Sequence, residues 1–217
     1  MDDDLPEKCV KLVMLGDSSV GKTSLVTRFC YEEFGRQYYP TPGVDFFLKR
    51  TTIQGNRLVR AIMWDLGGQA LEGSMFKNYL HGSQVILLVF DITNATSFTR
   101  LTDWWKAASR CIFGKPPLLA LIANKCDMEH QRAVSLDKQM KFVNEHGIQS
   151  THTVSARTGE NVMLAFQRIL AELLGVRLSK AEQEEQQGVV KAEIVAANHN
   201  QAYAGLPTTN STICVIQ

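Results

Sequence analysis

No apolar run in this 217-residue chain approaches the ~18 residues of a membrane-spanning helix, which argues against an integral membrane protein. Charge of one sign is also missing: 23 Lys and Arg against 22 Asp and Glu leave a formal net charge of +1. A nucleic-acid binder would show a basic stripe, so no nucleic-acid partner is expected. The start, Met1-Asp2-Asp3-Asp4, is the reverse of the basic leader of a signal peptide. Cysteines number 5, odd and scattered, and read as reduced thiols of a cytosolic protein. Cys9, Cys30, Cys111 and Cys126 have no metal-ligand spacing and are most simply packing residues. His81, His130, His146, His152 and His199 form no cluster, so no catalysis is assigned to them. Internal repeats are absent. What remains, with 45% apolar residues, is enough for one medium α/β domain and a tail.

The most informative stretch is Gly16-Asp17-Ser18-Ser19-Val20-Gly21-Lys22-Thr23. It follows a strand-like apolar run, 9–15, and precedes a helical one beginning at Ser24, the context a phosphate-binding loop requires. The backbone N–H groups of Ser18, Ser19, Val20, Gly21, Lys22, Thr23 and Ser24 can turn inward, so that a helix N-terminus faces a polyphosphate. Lys22 can reach the β- and γ-phosphate oxygens. The Thr23 hydroxyl is a hard oxygen suited to Mg²⁺, which takes few protein ligands. Alone, this motif leaves base and reaction open.

Asn124-Lys125-Cys126-Asp127 closes the next informative strand, 118–123. The Asp127 carboxylate can accept two hydrogen bonds from the N1–H and N2 amino group of guanine. Adenine would present it a lone pair, and an unmatched buried polar group costs about 1–3 kcal/mol. Lys125 can lie along the purine face, and Asn124 can tie the base loop to the phosphate loop. A third strand, 60–64, runs into Asp65-Leu66-Gly67-Gly68-Gln69. Asp65 is placed to hold Mg²⁺ through water, Gly68 to offer its N–H to a γ-phosphate, and Gln69 to orient the attacking water. The fourth, Ser155-Ala156-Arg157, follows strand 151–154 and could present a backbone N–H to the guanine O6. Ligands of open α/β sheets bind at such carboxyl strand ends.

Apolar patterning predicts strands at about 9–15, 44–53, 57–65, 84–91, 117–123 and 151–155, and helices at about 22–30, 71–80, 96–111, 135–146 and 160–176. Gln54-Gly55-Asn56 reads as a hairpin turn, so one strand runs antiparallel. Of Trp104 and Trp105, one is expected to pack inward. Three segments are expected: an acidic N-terminus, 1–7; a GTPase domain, 8–178; and a tail, 179–217, charged at 180–185 and polar from about 198.

Together these motifs resemble the small GTPases of the Ras superfamily, Rab family, over about residues 8–178 and the extreme C-terminus. The resemblance implies a P-loop G domain of the α/β class, a six-stranded mostly parallel sheet flanked by five helices. It implies GTP/GDP and Mg²⁺ as cofactors, with Thr41 joining Thr23 and Asp65 at the metal and sensing the γ-phosphate. Phe34 matches the aromatic that stacks on the guanine edge, and Tyr38 stands with it among the nucleotide-contacting residues. Catalysis would fall to Gln69, Lys22 and Gly68. Phe46, Trp64 and Tyr79 match the aromatic trio through which Rab proteins bind effectors; core packing is the competing role for them. Implied partners are effectors of the GTP state, an exchange factor, a GTPase-activating protein and a prenyl-binding chaperone, acting on a monomer.

Departures narrow the resemblance to a divergent Rab subgroup. Leu66, Gly67 and Ala70 stand where Thr, Ala and Glu are usual, and Pro42 where a β-branched residue is. Arf proteins share Gly-Gly-Gln but need a myristoylated glycine at position 2, where this chain has Asp2. The last four residues, Cys214-Val215-Ile216-Gln217, form a single-cysteine prenylation box that favours farnesyl on Cys214. From Val176 onward three cations face four anions, so no polybasic patch assists the lipid. One chain alone binds membranes marginally. The expected location is therefore cytoplasmic, with reversible lipid-anchored association to the cytoplasmic face of endosomal or vesicular membranes. Three functions compete: a hydrolysing switch in membrane and protein trafficking, a GTP-binding scaffold with negligible hydrolysis, and a P-loop kinase or ATPase, which Asn124 and Asp127 argue against.

Overall fold

The computed structural model describes residues 7–35, 37–53, 57–176 and 178. The hairpin turn at 54–56, the acidic start at 1–6 and the tail from 179, with Cys214, lie outside the described residues. Six strands form one sheet: β1 (Lys8–Leu15), β2 (Val44–Ile53), β3 (Arg57–Leu66), β4 (Val85–Asp91), β5 (Leu118–Asn124) and β6 (Ser150–Val154), in the order β2-β3-β1-β4-β5-β6. All neighbours are parallel except β2 and β3, which pair antiparallel from Val44↔Leu66 to Ile53↔Arg57. Every residue of β4 is buried, as its unbroken apolar run requires of a central strand covered on both faces.

The helices are α1 (Lys22–Tyr31), α2 (Phe76–Leu80), α3 (Ala95–Thr99), α4 (Leu101–Ser109), α5 (Leu136–His146) and α6 (Val162–Leu174). Phe29 of α1 stacks on Phe166 of α6 at 4.2 Å, and both pack on the Val10, Leu12 and Met14 side of β1. The opposite face holds Phe76, Leu80, Leu101, Trp104 and Phe142 against Val13, Leu15, Ile86, Leu88 and Phe90. Trp104 is the inward tryptophan, fully buried; Trp105 is only partly so.

Two predicted helices are divided. The run over 96–111 is α3 and α4, parted at Arg100. Around that joint the Ser97 and Thr99 hydroxyls back-bond to the carbonyls of Asn94 (2.8 Å) and Ala95 (3.0 Å) and compete with the helical ladder. Among the described residues the α-helix count is therefore six, not five. The run over 71–80 is a 3₁₀ turn, Ala70–Glu72, then α2, because Gly73 adopts an extended conformation between them. The carboxyl ends of β1, β3, β4, β5 and β6 share one edge of the sheet, and the motif residues gather there.

Candidate functional site

The loop after β1 reaches α1 through three positive-φ residues, Gly16, Ser19 and Gly21. A Cβ on Gly21 would sit 2.4 Å from the Asn124 side-chain nitrogen, so glycine is required there by the base loop behind it. No side chain caps α1, which leaves its first-turn N–H groups for a ligand. Lys22 is 6% exposed, and its ammonium donates to the carbonyls of Gly16 (2.7 Å) and Asp17 (2.8 Å). Burial pushes its pKa down to about 8, against the pull of Asp65 and Asp17.

Three oxygens predicted at the metal meet at one point. Thr23 donates to Asp65 Oδ2 at 2.5 Å, Thr41 Oγ1 lies 3.1 Å from Thr23 Oγ1, and Thr41 donates to Asp65 Oδ2 at 3.4 Å. Asp65 is fully buried, and its Oδ1 has no hydrogen-bond partner among the described residues. Burial raises its carboxyl above the ordinary range, although the Thr23 hydrogen bond and Lys22 oppose the rise. A buried carboxylate with an unused oxygen beside two hydroxyls suits a hard cation that takes the remaining ligands from phosphate and water.

Gly67 and Gly68 close this end. The Gly67 N–H donates to the Gly43 carbonyl at 2.9 Å. A Cβ on Gly67 would lie 2.3 Å from the Thr41 carbonyl oxygen, and one on Gly68 would lie 2.2 Å from the Ser18 nitrogen. The segment before β2 and the segment after β3 therefore touch each other and the phosphate loop.

At the base end, Asn124 is 1% exposed and bridges two loops: it donates to the Val20 carbonyl (2.8 Å) and accepts from the Ala156 N–H (3.1 Å). That N–H, a candidate for the guanine O6, is thus already engaged. Lys125 is in the left-handed region, and its ammonium pairs with Asp91 at 2.7 Å. Asp127 accepts from the Ser155 hydroxyl at 2.6 Å and lies 3.9 Å from the Arg157 guanidinium. The Cys126 thiol, pushed up to about 12 by burial and then by Glu160, is no nucleophile.

A cavity of about 450 Å³ joins the two ends. Ser18, Ser19, Gly21, Lys22, Thr23, Ser24, Phe34, Tyr38, Thr41, Gly68, Asn124, Lys125, Asp127, Ala156 and Arg157 line it. Val20 and Ser155 stand behind the wall, buried, and act through Asn124 and Asp127. Gln69 is exposed and lines an adjoining cavity of about 480 Å³ with Asp17, Ser18, Gly68 and Arg100. Phe46, Trp64 and Tyr79 form one surface row, with ring centroids 4.6 Å and 6.3 Å apart; Phe46 is 59% exposed, the other two partly buried.

Sequence reasoning missed several supports. Arg28 donates to the carbonyls of Ala156 (3.0 Å), Arg157 (2.8 Å) and Glu32 (2.6 Å), clamping α1 to the base loop. Asp17 accepts from the indole of Trp104 at 2.9 Å and forms an ion pair with Arg100 at 3.4 Å. Thr27 and Met128 also line the main cavity. The one available signal was helical spacing, which sets Thr27 a turn beyond Thr23.

Phosphate loop, carboxylate base pocket and strand-end placement define a guanine-nucleotide-binding P-loop domain. The sequence pattern of the Ras family matches residues 11–175. One relative, the Ras-related protein Rab-28 of Caenorhabditis elegans, is 38% identical over 197 residues, covering 90% of this chain and 79% of that protein. The chain belongs to the Ras family, in its Rab branch, and is a small GTPase.

Proposed function

We propose that this GTPase is a switch in vesicle, endosomal and protein trafficking, cycling between GTP and GDP and binding effectors in its GTP form. The contact of Thr41 with Thr23 and Asp65, beneath Gly67 and Gly68, is the observation that carries it. Two exposed segments meet at the place where a γ-phosphate would lie, so gain or loss of that phosphate has something to hold or release.

Mg²⁺ fits the donor set of Thr23, Thr41 and Asp65, and when bound it would neutralise charge on the β- and γ-phosphates. Lys22 leaves the Gly16 and Asp17 carbonyls for phosphate oxygens. The Gly68 N–H turns to the γ-phosphate, and Gln69 orients water. Without a partner arginine, turnover is slow, on the order of 10⁻⁴ to 10⁻³ s⁻¹, so an activating protein and an exchange factor set the cycle. Phe46, Trp64 and Tyr79 receive effectors. A farnesyl on Cys214 gives the monomer reversible attachment to the cytoplasmic face of membranes, with a prenyl-binding chaperone carrying it between them.

Backbone hydrogen exchange over 37–46 and 66–80 tests the switch: it drops with a GTP analogue relative to GDP, and equal exchange in both forms would rule the switch out. Cys214→Ser leaves nucleotide binding intact and makes the protein wholly cytosolic in fractionation. A second reading, a GTP-binding scaffold with negligible hydrolysis, draws on the exposure of Gln69 outside the main cavity. Single-turnover GTP hydrolysis separates the two.

A further inference from the structure

On the face opposite α1 and α6, the wing made by β2, β3 and the start of β1 carries a ladder of same-face pairs. Phe46 faces Trp64, Leu48 faces Ile62, Arg50 faces Arg60, and Thr52 faces Leu58. Phe46, Leu48 and Leu58 are 59%, 51% and 48% exposed, large apolar side chains left in water. The ladder is apolar toward the switch segments, cationic at its third rung, and ends beside the hairpin in Thr52 and the exposed Leu58.

The cationic rung is poorly satisfied. Two arginines directly opposite one another repel. Among the described residues Glu7 bridges them: one of its oxygens accepts from Arg50 at 3.0 Å and the other from Arg60. Both Glu7 oxygens are then used, and the trio keeps one positive charge. The Arg60 Nε is buried with no partner among the described residues, and the Arg50 side chain is 67% exposed. Lys11, 3.4 Å over the Trp64 ring, adds a further cation to the same face. The buried Nε is out of a partner's reach, but the surplus charge beside it is carried by exposed guanidinium groups that can take another acceptor.

We propose that this face docks a segment of a protein partner that carries apolar side chains at one end and a carboxylate at the other. The apolar end covers Phe46, Leu48 and Trp64; the carboxylate takes the exposed N–H groups of Arg50 and Arg60. The inference deepens the effector reading of Phe46 and Trp64 by extending the surface down the hairpin and stating the partner's chemistry. Phe46 and Arg50 are four residues apart on one strand, about 13 Å. The partner's acid therefore follows its first apolar anchor by about nine positions if the segment is helical, or by about four if extended.

The test is a random peptide display selection on the full chain loaded with a non-hydrolysable GTP analogue. Enriched peptides are expected to carry an Asp or Glu at one of those spacings. Arg50→Glu with Arg60→Glu weakens them by about tenfold or more, and a Lys in place of the peptide's acid restores binding to that variant. Retained GDP affinity reports that the double variant folds; if it does not, Arg50→Gln alone, on an exposed side chain, carries the same comparison. The proposal is overturned by a selection that yields no binder, by enriched peptides without an acid at that spacing, or by affinity indifferent to Arg50 and Arg60. Arginine-dependent sedimentation with phosphatidylserine vesicles, and no peptide binding, would overturn it in favour of a lipid surface. Equal peptide binding to the GDP and GTP-analogue forms would count against the switch reading while leaving the docking face intact.

Discussion

The two ends of the nucleotide cavity are built differently. At the base end every functional side chain is tied to another element: Asn124 to Val20 and Ala156, Lys125 to Asp91, Asp127 to Ser155, and the whole loop to α1 through Arg28. At the phosphate end Thr41 is held by hydroxyl contacts of 3.1 and 3.4 Å, and one backbone bond, Gly67 to Gly43, joins the two segments. A neutral hydrogen bond is worth about 1 kcal/mol, and the bond to the Asp65 carboxylate is a long one. Such a build suits preorganised recognition of guanine, where specificity gains from rigidity. On the proposed switch, recognition of the third phosphate is conditional, because a switch must be able to let go.

The sharpest way to probe the rigid end is Asp127→Asn. Its amide oxygen still accepts from the Ser155 hydroxyl, so the loop is expected to keep its shape. The amide nitrogen, however, meets the guanine N1–H donor-to-donor. GTP affinity should fall roughly thousandfold, with xanthosine triphosphate gaining because its extra carbonyl accepts from the amide. Competition binding with both nucleotides checks this; unchanged GTP affinity would remove Asp127 from the base pocket.

Asn124→Ala should cost somewhat less, about 2–3 kcal/mol, since it strands the buried Val20 carbonyl and Ala156 N–H. Because Asn124 ties the base end to the phosphate loop, GDP and GTP should weaken alike. Chemical denaturation of the GDP form and paired affinity measurements give both quantities. A loss confined to GTP would erase the distinction between a rigid and a conditional end.

Gly67→Ala reverses that selectivity. It restores the residue usual in Rab proteins, yet its Cβ would lie 2.3 Å from the Thr41 carbonyl oxygen. The expected result is about a tenfold loss of GTP affinity relative to GDP, with hydrogen exchange over 37–43 staying high in the GTP-analogue form. An equal loss for both nucleotides would show that the two segments are not specifically coupled through Thr41.

The two ends also differed in how far they could be read beforehand. Asn124, Asp127, Lys22 and Thr23 sit in short motifs whose spacing carries the chemistry, and the strand ends that bear them were evident from apolar runs. Their supports were not evident. Arg28 to Ala156, Trp104 to Asp17 and Lys125 to Asp91 join residues far apart in the chain, and no local pattern encodes which distant carbonyl a side chain will find. The break at Arg100 depends on hydroxyls turning back on their own helix, a choice propensity does not fix. Gly73 was visible as a letter, but an isolated glycine is tolerated in many helices. The arginine pair on the β2–β3 wing emerged only with the register, since a slip of one residue would have put Arg60 on the other face.

The smallest expected effect is a proton. With its pKa near 8, Lys22 in the unliganded fold binds fewer protons than the unfolded chain does between about pH 8 and its ordinary value of 10.5. Burying the charge therefore costs stability below pH 8, and that cost is relieved as pH rises through the window. Polyphosphate acts the other way: its negative charge beside the ammonium raises the pKa, so binding above pH 8 takes up a proton. Nucleotide affinity should then fall by about threefold between pH 7.5 and 8.5. Calorimetry in two buffers of different ionisation enthalpy should detect uptake of about three-quarters of a proton at the upper pH. Cys30 and Cys126, pushed up to about 11 and about 12, do not compete in this range. Zero proton uptake would mean that Lys22 is already charged in the empty loop, and that the phosphate end is as preorganised as the base end.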